Sequence, residues 1–92
     1  MIRNFRHKGL QRFFETGNTK GINPNHAKRL KVRLEIMDEA EELEQLDQPG
    51  WNFHELSGDR QGTFSIHVNG NWCLTFQFQE GDCLNVDYED YH

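Results

Sequence analysis

The chain is 92 residues long, with 15 acidic and 10 basic side chains, a formal net charge of -5 and two cysteines. That length makes one domain near the small end of what folds unaided, and no apolar run approaches the roughly 20 residues of a membrane span. The acidic balance argues against a free-standing nucleic-acid binder, because phosphate affinity rests on Lys and Arg; "MIRNFRHKGL" lacks the apolar core of a secretory leader, so a cytoplasmic protein with reduced Cys73 and Cys83 is expected.

Taken in chain order, "MIRNF" is a weakly signalled short strand. "HKGLQRFFETG" then sets Leu10, Phe13 and Phe14 at helical spacing, with Gly17 placed to close the helix in a left-handed cap. A long second helix is expected over "NPNHAKRLKVRLEIMDEAEELEQL". Asn23 is its N-cap, Pro24 takes the first position, where a missing N–H costs nothing, and Ala27, Leu30, Leu34 and Met37 follow the 3.6 period.

The charges on these helices are unevenly spread. Nine of the ten Lys and Arg lie within residues 1–34 (Arg3, Arg6, Lys8, Arg12, Lys20, Lys28, Arg29, Lys31 and Arg33), against the single acid Glu15. From Glu35 to Asp47 there are seven acids and no cation. Cations at the start of the second helix and acids at its end oppose the helix dipole. Either a partner meets the cations or tertiary contacts absorb the penalty; solvated helix faces are the plain reading of such runs.

After "DQPG" the period becomes two. In "WNFHEL", Trp51 and Phe53 point one way and Asn52, His54 and Leu56 the other. "SGDRQG" is a Gly-rich turn, and "TFSIHV" sets Phe64, Ile66 and Val68 on one face. "NG" signals a hairpin. "NWCLTFQFQ" points Trp72, Leu74, Phe76 and Phe78 inward and Cys73, Thr75 and Gln77 outward, and "EGD" turns into a last strand, "CLNVDYEDY". The expected fold is α+β: two N-terminal helices packed on one face of a mostly antiparallel sheet of about four to five strands, in one domain over residues 1–92. The helices should cover Phe64, Ile66, Trp72, Leu74, Phe76, Leu84 and Val86 and leave the other face open and polar.

That open face offers His54, Ser65, His67, Cys73, Thr75 and Gln77, and the end of the chain adds Asp90, Tyr91 and His92, anchored by the last strand. Two imidazoles with a carboxylate and a phenol can cleave RNA. One group removes the ribose 2′-OH proton, another protonates the leaving 5′-oxygen, and a cation meets the charge growing on phosphate. Imidazole suits both proton roles because its pKa lies near neutrality. Surface histidines without chemistry, a metal held by His54, His92, Asp90 and Cys73 or Cys83, and a Cys73 nucleophile served by His54 or His67 stay open on spacing alone; no CxxC or HxxxH pattern supports a metal.

Four stretches carry a resemblance: "MIRNFRHKGL", "LSGDRQGTFSIHVNGNW" with its spacing of Gly58, Arg60, Gly62, Ser65, Ile66, Val68, Asn69 and Trp72, "TFQF", and the terminal "YEDYH". In these the chain resembles the RelE/HigB family of type II toxins, nearest its HigB branch, over nearly its full length. The resemblance implies the compact RelE-like fold. It also implies a metal-independent mRNA endonuclease, without cofactor, that acts in the ribosomal A site and is held inactive by a cognate HigA-like antitoxin. That antitoxin would be a helix-turn-helix protein, through which alone the pair meets operator DNA. His54, Asp90, Tyr91 and His92 match the functional set. The basic residues from Arg3 to Arg33 would rest on ribosomal RNA, and Arg60 and Ser57 would lie beside the substrate.

Two positions depart from the pattern. Family members typically carry Arg straight after the Trp of the fourth strand, where this chain has Cys73, and some carry Lys where it has Ser57. A guanidinium at 73 would grip the scissile phosphate, and a thiol cannot. The sequence therefore allows an attenuated toxin, or one retained only to bind its antitoxin, unless Lys20, Arg60 or a ribosomal group supplies the charge.

Overall fold

The structure is a computed structural model and describes residues 1–90. Helix α1 spans Lys8–Thr16 and α2 spans Ala27–Glu39. Strands β1 (His54–Glu55), β2 (Thr63–Asn69), β3 (Trp72–Gln79) and β4 (Asp82–Asp90) form one antiparallel sheet in the order β1-β2-β3-β4. The expected α+β layering of helices on a meander is the observed one.

Helix α1 begins at His7, whose Nδ1 accepts the Leu10 N–H at 2.9 Å, and ends at Gly17, whose φ of 82° gives the left-handed cap that the sequence signals. Gly9 sits where α1 meets the loop before α2. A Cβ there would stand 2.5 Å from the Gly21 carbonyl oxygen, so the two backbones touch only because both residues are glycine. Leu10 and Phe13 of α1 and Leu30, Leu34 and Met37 of α2 pack on Ile66, Val68, Leu74, Phe76, Val86 and Tyr88 of the sheet. This burial of apolar surface is the main force holding helices to sheet.

The second helix is shorter than its pattern predicts. Asn23 and Pro24 start a 3-10 turn, Pro24–His26, that leads into α2. The helix stops at Ala40, which is buried and extended, and Leu43–Leu46 is a separate 3-10 turn. The Gln45 carboxamide oxygen takes the N–H groups of Glu41 and Glu42 at 2.7 and 2.8 Å, satisfying donors that a continued helix would have used. The first strand is also shorter, because Asn52 adopts φ 47° and bends the chain between Trp51 and β1. The N-terminal segment makes two parallel bridges to β4, Ile2 with Cys83 and Phe5 with Val86. It covers the β4 edge without becoming a full strand.

Alternation fails in β4. Thr75 pairs with Asp87 and Gln77 with Leu84, so Asn85 and Val86 together oppose Phe76. Asn85, at φ 53°, is the left-handed residue of this bulge. The bulge flips the phase: Cys83 and Val86 enter the core, and Leu84 does not join it. The Cys83 thiol contacts the Met37 carbonyl at 3.6 Å, and burial pushes its pKa up to about 12. It is a neutral core group, on the helix-covered side of the sheet and not on the face that carries His54.

Candidate active site

Strand register assembles the open face. Ser65 stands opposite His54 on β1 and Thr75 on β3, and Thr75 stands opposite Asp87 on β4. Cys73 stands between His67 and Glu89 in the next cross-strand row. A shallow groove of about 290 Å³ opens at one end of this face, lined by His54, Ser65, His67, Trp72 and Cys73. The face is less open than expected, since Ser65, Cys73 and Thr75 are buried.

His54 is exposed, and its Nδ1 lies 2.7 Å from the Asn52 carbonyl oxygen. A carbonyl only accepts, so Nδ1 carries a proton, and in the neutral imidazole Nε2 is then the nitrogen with the lone pair. The bend at Asn52 that shortens β1 thus sets the state of the imidazole. In the same way His67 donates through Nε2 to the Gly70 carbonyl at 2.9 Å, which leaves the lone pair of its neutral form on Nδ1. The hairpin responsible turns on Gly70 and Asn71, between the paired Asn69 and Trp72.

Arg60 comes from a 3-10 turn, Gly58–Arg60, that leads into β2. Its Nη1 and Nη2 donate to the two carboxylate oxygens of Glu89 at 3.0 and 2.7 Å, and the Thr75 hydroxyl donates to the same carboxylate. Glu89 is held below the usual carboxylate range, chiefly by its hydrogen bond from Arg60. Sequence reading did not single out Glu89; its place across from Cys73 follows only from the meander register. Burial pushes the Cys73 thiol up, and the Ser65 hydroxyl beside it offsets part of that effect. Cys73 is therefore an uncharged thiol at the back of the groove.

Asp90 pairs with Trp72 and so stands at the groove end of β4, one position out of phase with Glu89. Tyr91 and His92, the other expected site residues, lie outside the described residues. Ser57 is exposed and precedes the Arg60 turn. Of the nine N-terminal cations, Arg33 is buried, its Nε donating to the His67 carbonyl at 2.9 Å. It leaves the expected ribosome-facing set, because a guanidinium enclosed by the fold cannot lie on RNA. Arg29 donates to the Val68 carbonyl at 3.2 Å and Arg3 pairs with Asp82 at 2.8 Å, though both are exposed, as are Arg6, Lys8, Arg12, Lys20, Lys28 and Lys31. Tertiary contacts thus absorb part of the unfavourable charge order on α2.

Residues 3–92 match the model of the HigB-like toxins, described as RelE-like toxins of type II toxin-antitoxin systems. The chain belongs to this family. Among its relatives, an endoribonuclease HigB of Proteus vulgaris is 45% identical over 92 residues, spanning 100% of both chains. Toxin HigB-1 of Vibrio cholerae serotype O1 is 35% identical over 94 residues, covering 100% of this chain and 98% of the relative. An uncharacterised Haemophilus influenzae protein is 30% identical over 90 residues, covering 96% of this chain and 88% of its own. This HigB-like toxin has no helix among its described residues long and apolar enough to cross a membrane.

Proposed function

We propose that this HigB-like toxin is a cytoplasmic, ribosome-dependent mRNA endonuclease that cuts translated messages in the A site and so arrests growth. The observation that carries the reading is the His54 imidazole, exposed at the groove with Nδ1 bound to the Asn52 carbonyl. An Nε2 lone pair aimed at solvent is what a general base for the ribose 2′-OH requires. The endoribonuclease name of the Proteus vulgaris relative supports the same activity.

In this mechanism His54 takes the 2′-OH proton and the 2′-oxygen attacks the adjacent phosphorus. The bond to the 5′-oxygen breaks, and His92 protonates the leaving oxygen. The products are a 2′,3′-cyclic phosphate and a 5′-OH, and the scheme needs no metal ion. Asp90 orients and charges an imidazole, and Tyr91 stacks on the substrate base. The exposed cations of the N-terminal third rest on ribosomal RNA, and the ribosome supplies the alignment that an acidic protein lacks by itself. A HigA-like, helix-turn-helix antitoxin holds the toxin inactive and carries the pair to operator DNA.

Cys73 favours a second reading, an attenuated toxin retained as an antitoxin-binding protein. The neutral, buried thiol stands across from Glu89, whose carboxylate holds the Arg60 guanidinium, so position 73 itself carries no positive charge. Arg60, clamped by that same Glu89, is the nearest candidate to supply the missing charge.

The test is primer extension on a reporter message in a purified translation system, comparing this chain with His54→Ala, His92→Ala and Cys73→Arg. In-frame cleavage lost in both alanine variants supports the nuclease. Cleavage by Cys73→Arg alone supports attenuation, and no cleavage by any form, with antitoxin still bound, supports the binding protein.

A further inference from the structure

We propose that Arg33 is a positioning residue for His54: from the core side of the sheet it fixes the Trp51–Asn52 bend, and the bend holds the imidazole with Nε2 presented to the groove. The proposal rests on reading His54 as the general base.

Arg33 lies on α2 and is only 9% exposed. Its Nε donates to the His67 carbonyl at 2.9 Å and its Nη1 to the Arg29 carbonyl at 3.3 Å. Its guanidinium carbon stands 5.1 Å from the centre of the Trp51 ring. Among the described residues these partners include no carboxylate. Burial, and then the neighbouring Arg29 charge, push its pKa down. An enclosed cation with no counter-ion among the described residues is costly, and an apolar side chain would fill the same space without that cost. What the guanidinium holds is therefore the informative feature.

It holds two segments together. Residue His67 offers its carbonyl to Arg33 and its N–H to the Trp51 carbonyl, at 2.7 Å. Trp51 is thus gripped at its ring by the guanidinium and at its backbone by β2. The next residue, Asn52, takes the left-handed bend at φ 47°, and its carbonyl receives the His54 Nδ1–H. Cation–π contact is strongest on Trp and strengthens when water is excluded, as it is here. Releasing the ring loosens the bend, moves the Asn52 carbonyl, and lets His54 adopt the Nε2–H tautomer, which has no lone pair to offer a 2′-OH.

The experiment is long-range ¹H–¹⁵N NMR of the His54 imidazole at about pH 8, where free imidazole is neutral, in the full chain and in Arg33→Met, Arg33→Lys and Trp51→Phe. The parent should show Nδ1–H, and the variants an added Nε2–H population. In the translation system kcat should fall about tenfold or more with KM little changed. If Arg33→Met does not fold, the milder Arg33→Lys and Trp51→Phe decide by the same signal. A parent without the Nδ1–H tautomer, or a folded variant in which the tautomer is unaltered, overturns the proposal. A shifted tautomer with undiminished cleavage leaves the positioning intact and removes His54 as the base.

Discussion

Arg60 and Glu89 form a two-pronged ion pair, at 3.0 and 2.7 Å, that ties the turn before β2 to the last strand directly across from Cys73. Fork geometry makes such pairs stronger than single contacts, though an Arg60 side chain 37% exposed leaves this one partly screened by solvent. Glu89→Gln should cost about 1 kcal/mol in urea unfolding at neutral pH. Because the folded carboxyl is held low, its contribution is complete above the unfolded value near ~4.3 and disappears as pH falls through the folded one. The gap between parent and variant should therefore close in acid, and a gap that persists there would assign the clamp no ionic role.

Cys73→Arg should raise message cleavage on the order of 10²-fold, the usual scale for one transition-state charge stabiliser. Single-turnover cleavage on programmed ribosomes measures it. A rate equal to the parent's would mean that the uncharged position is already compensated, with Arg60→Ala then the variant that loses activity.

The buried His26 Nδ1 lies 2.6 Å from the Tyr88 hydroxyl, which also accepts the Asn23 N–H at 3.4 Å. Whichever of the two donates, the hydroxyl is the hydrogen-bond partner of that imidazole nitrogen. Tyr88→Phe leaves that nitrogen unpaired and should cost about 1–3 kcal/mol. Burial, and then Arg29, lower the His26 pKa, so the unfolded chain takes up its proton first. Parent stability should fall as pH drops below about 6.5, and His26→Asn should remove that slope in a pH series of urea midpoints.

Gly9→Ala tests the contact between α1 and the loop before α2. Its Cβ would meet Gly21 backbone at 2.5 Å, and backbone cannot rotate away as a side chain can. A loss of about 1–3 kcal/mol is expected, visible as a lower melting temperature. An alanine tolerated without loss would show that the loop shifts freely.

What lies close together in the chain was legible in it. The Gly17 cap, the Asn23–Pro24 helix start, the Glu80–Gly81 turn with φ of 51° and 83°, and the inward faces of β2 and β3 are each set by a few neighbouring residues. The His54 side of the sheet could be read from the same period of two. Where distant contacts overrule the local preference, the local pattern misled. Helix formers continue past Ala40, yet α2 ends there because Gln45 folds back on Glu41 and Glu42.

The residues alone determined the helix-then-meander order and the polar face bearing His54, because period and turn chemistry are properties of short segments. Tertiary structure decided the rest. The bulge at Asn85 sent Cys83 into the core, register set Glu89 beside Cys73, and packing enclosed Arg33 beneath Trp51. Each depends on which distant strand or helix supplies the partner atoms, and that choice minimises unpaired polar groups and empty space over the whole domain at once.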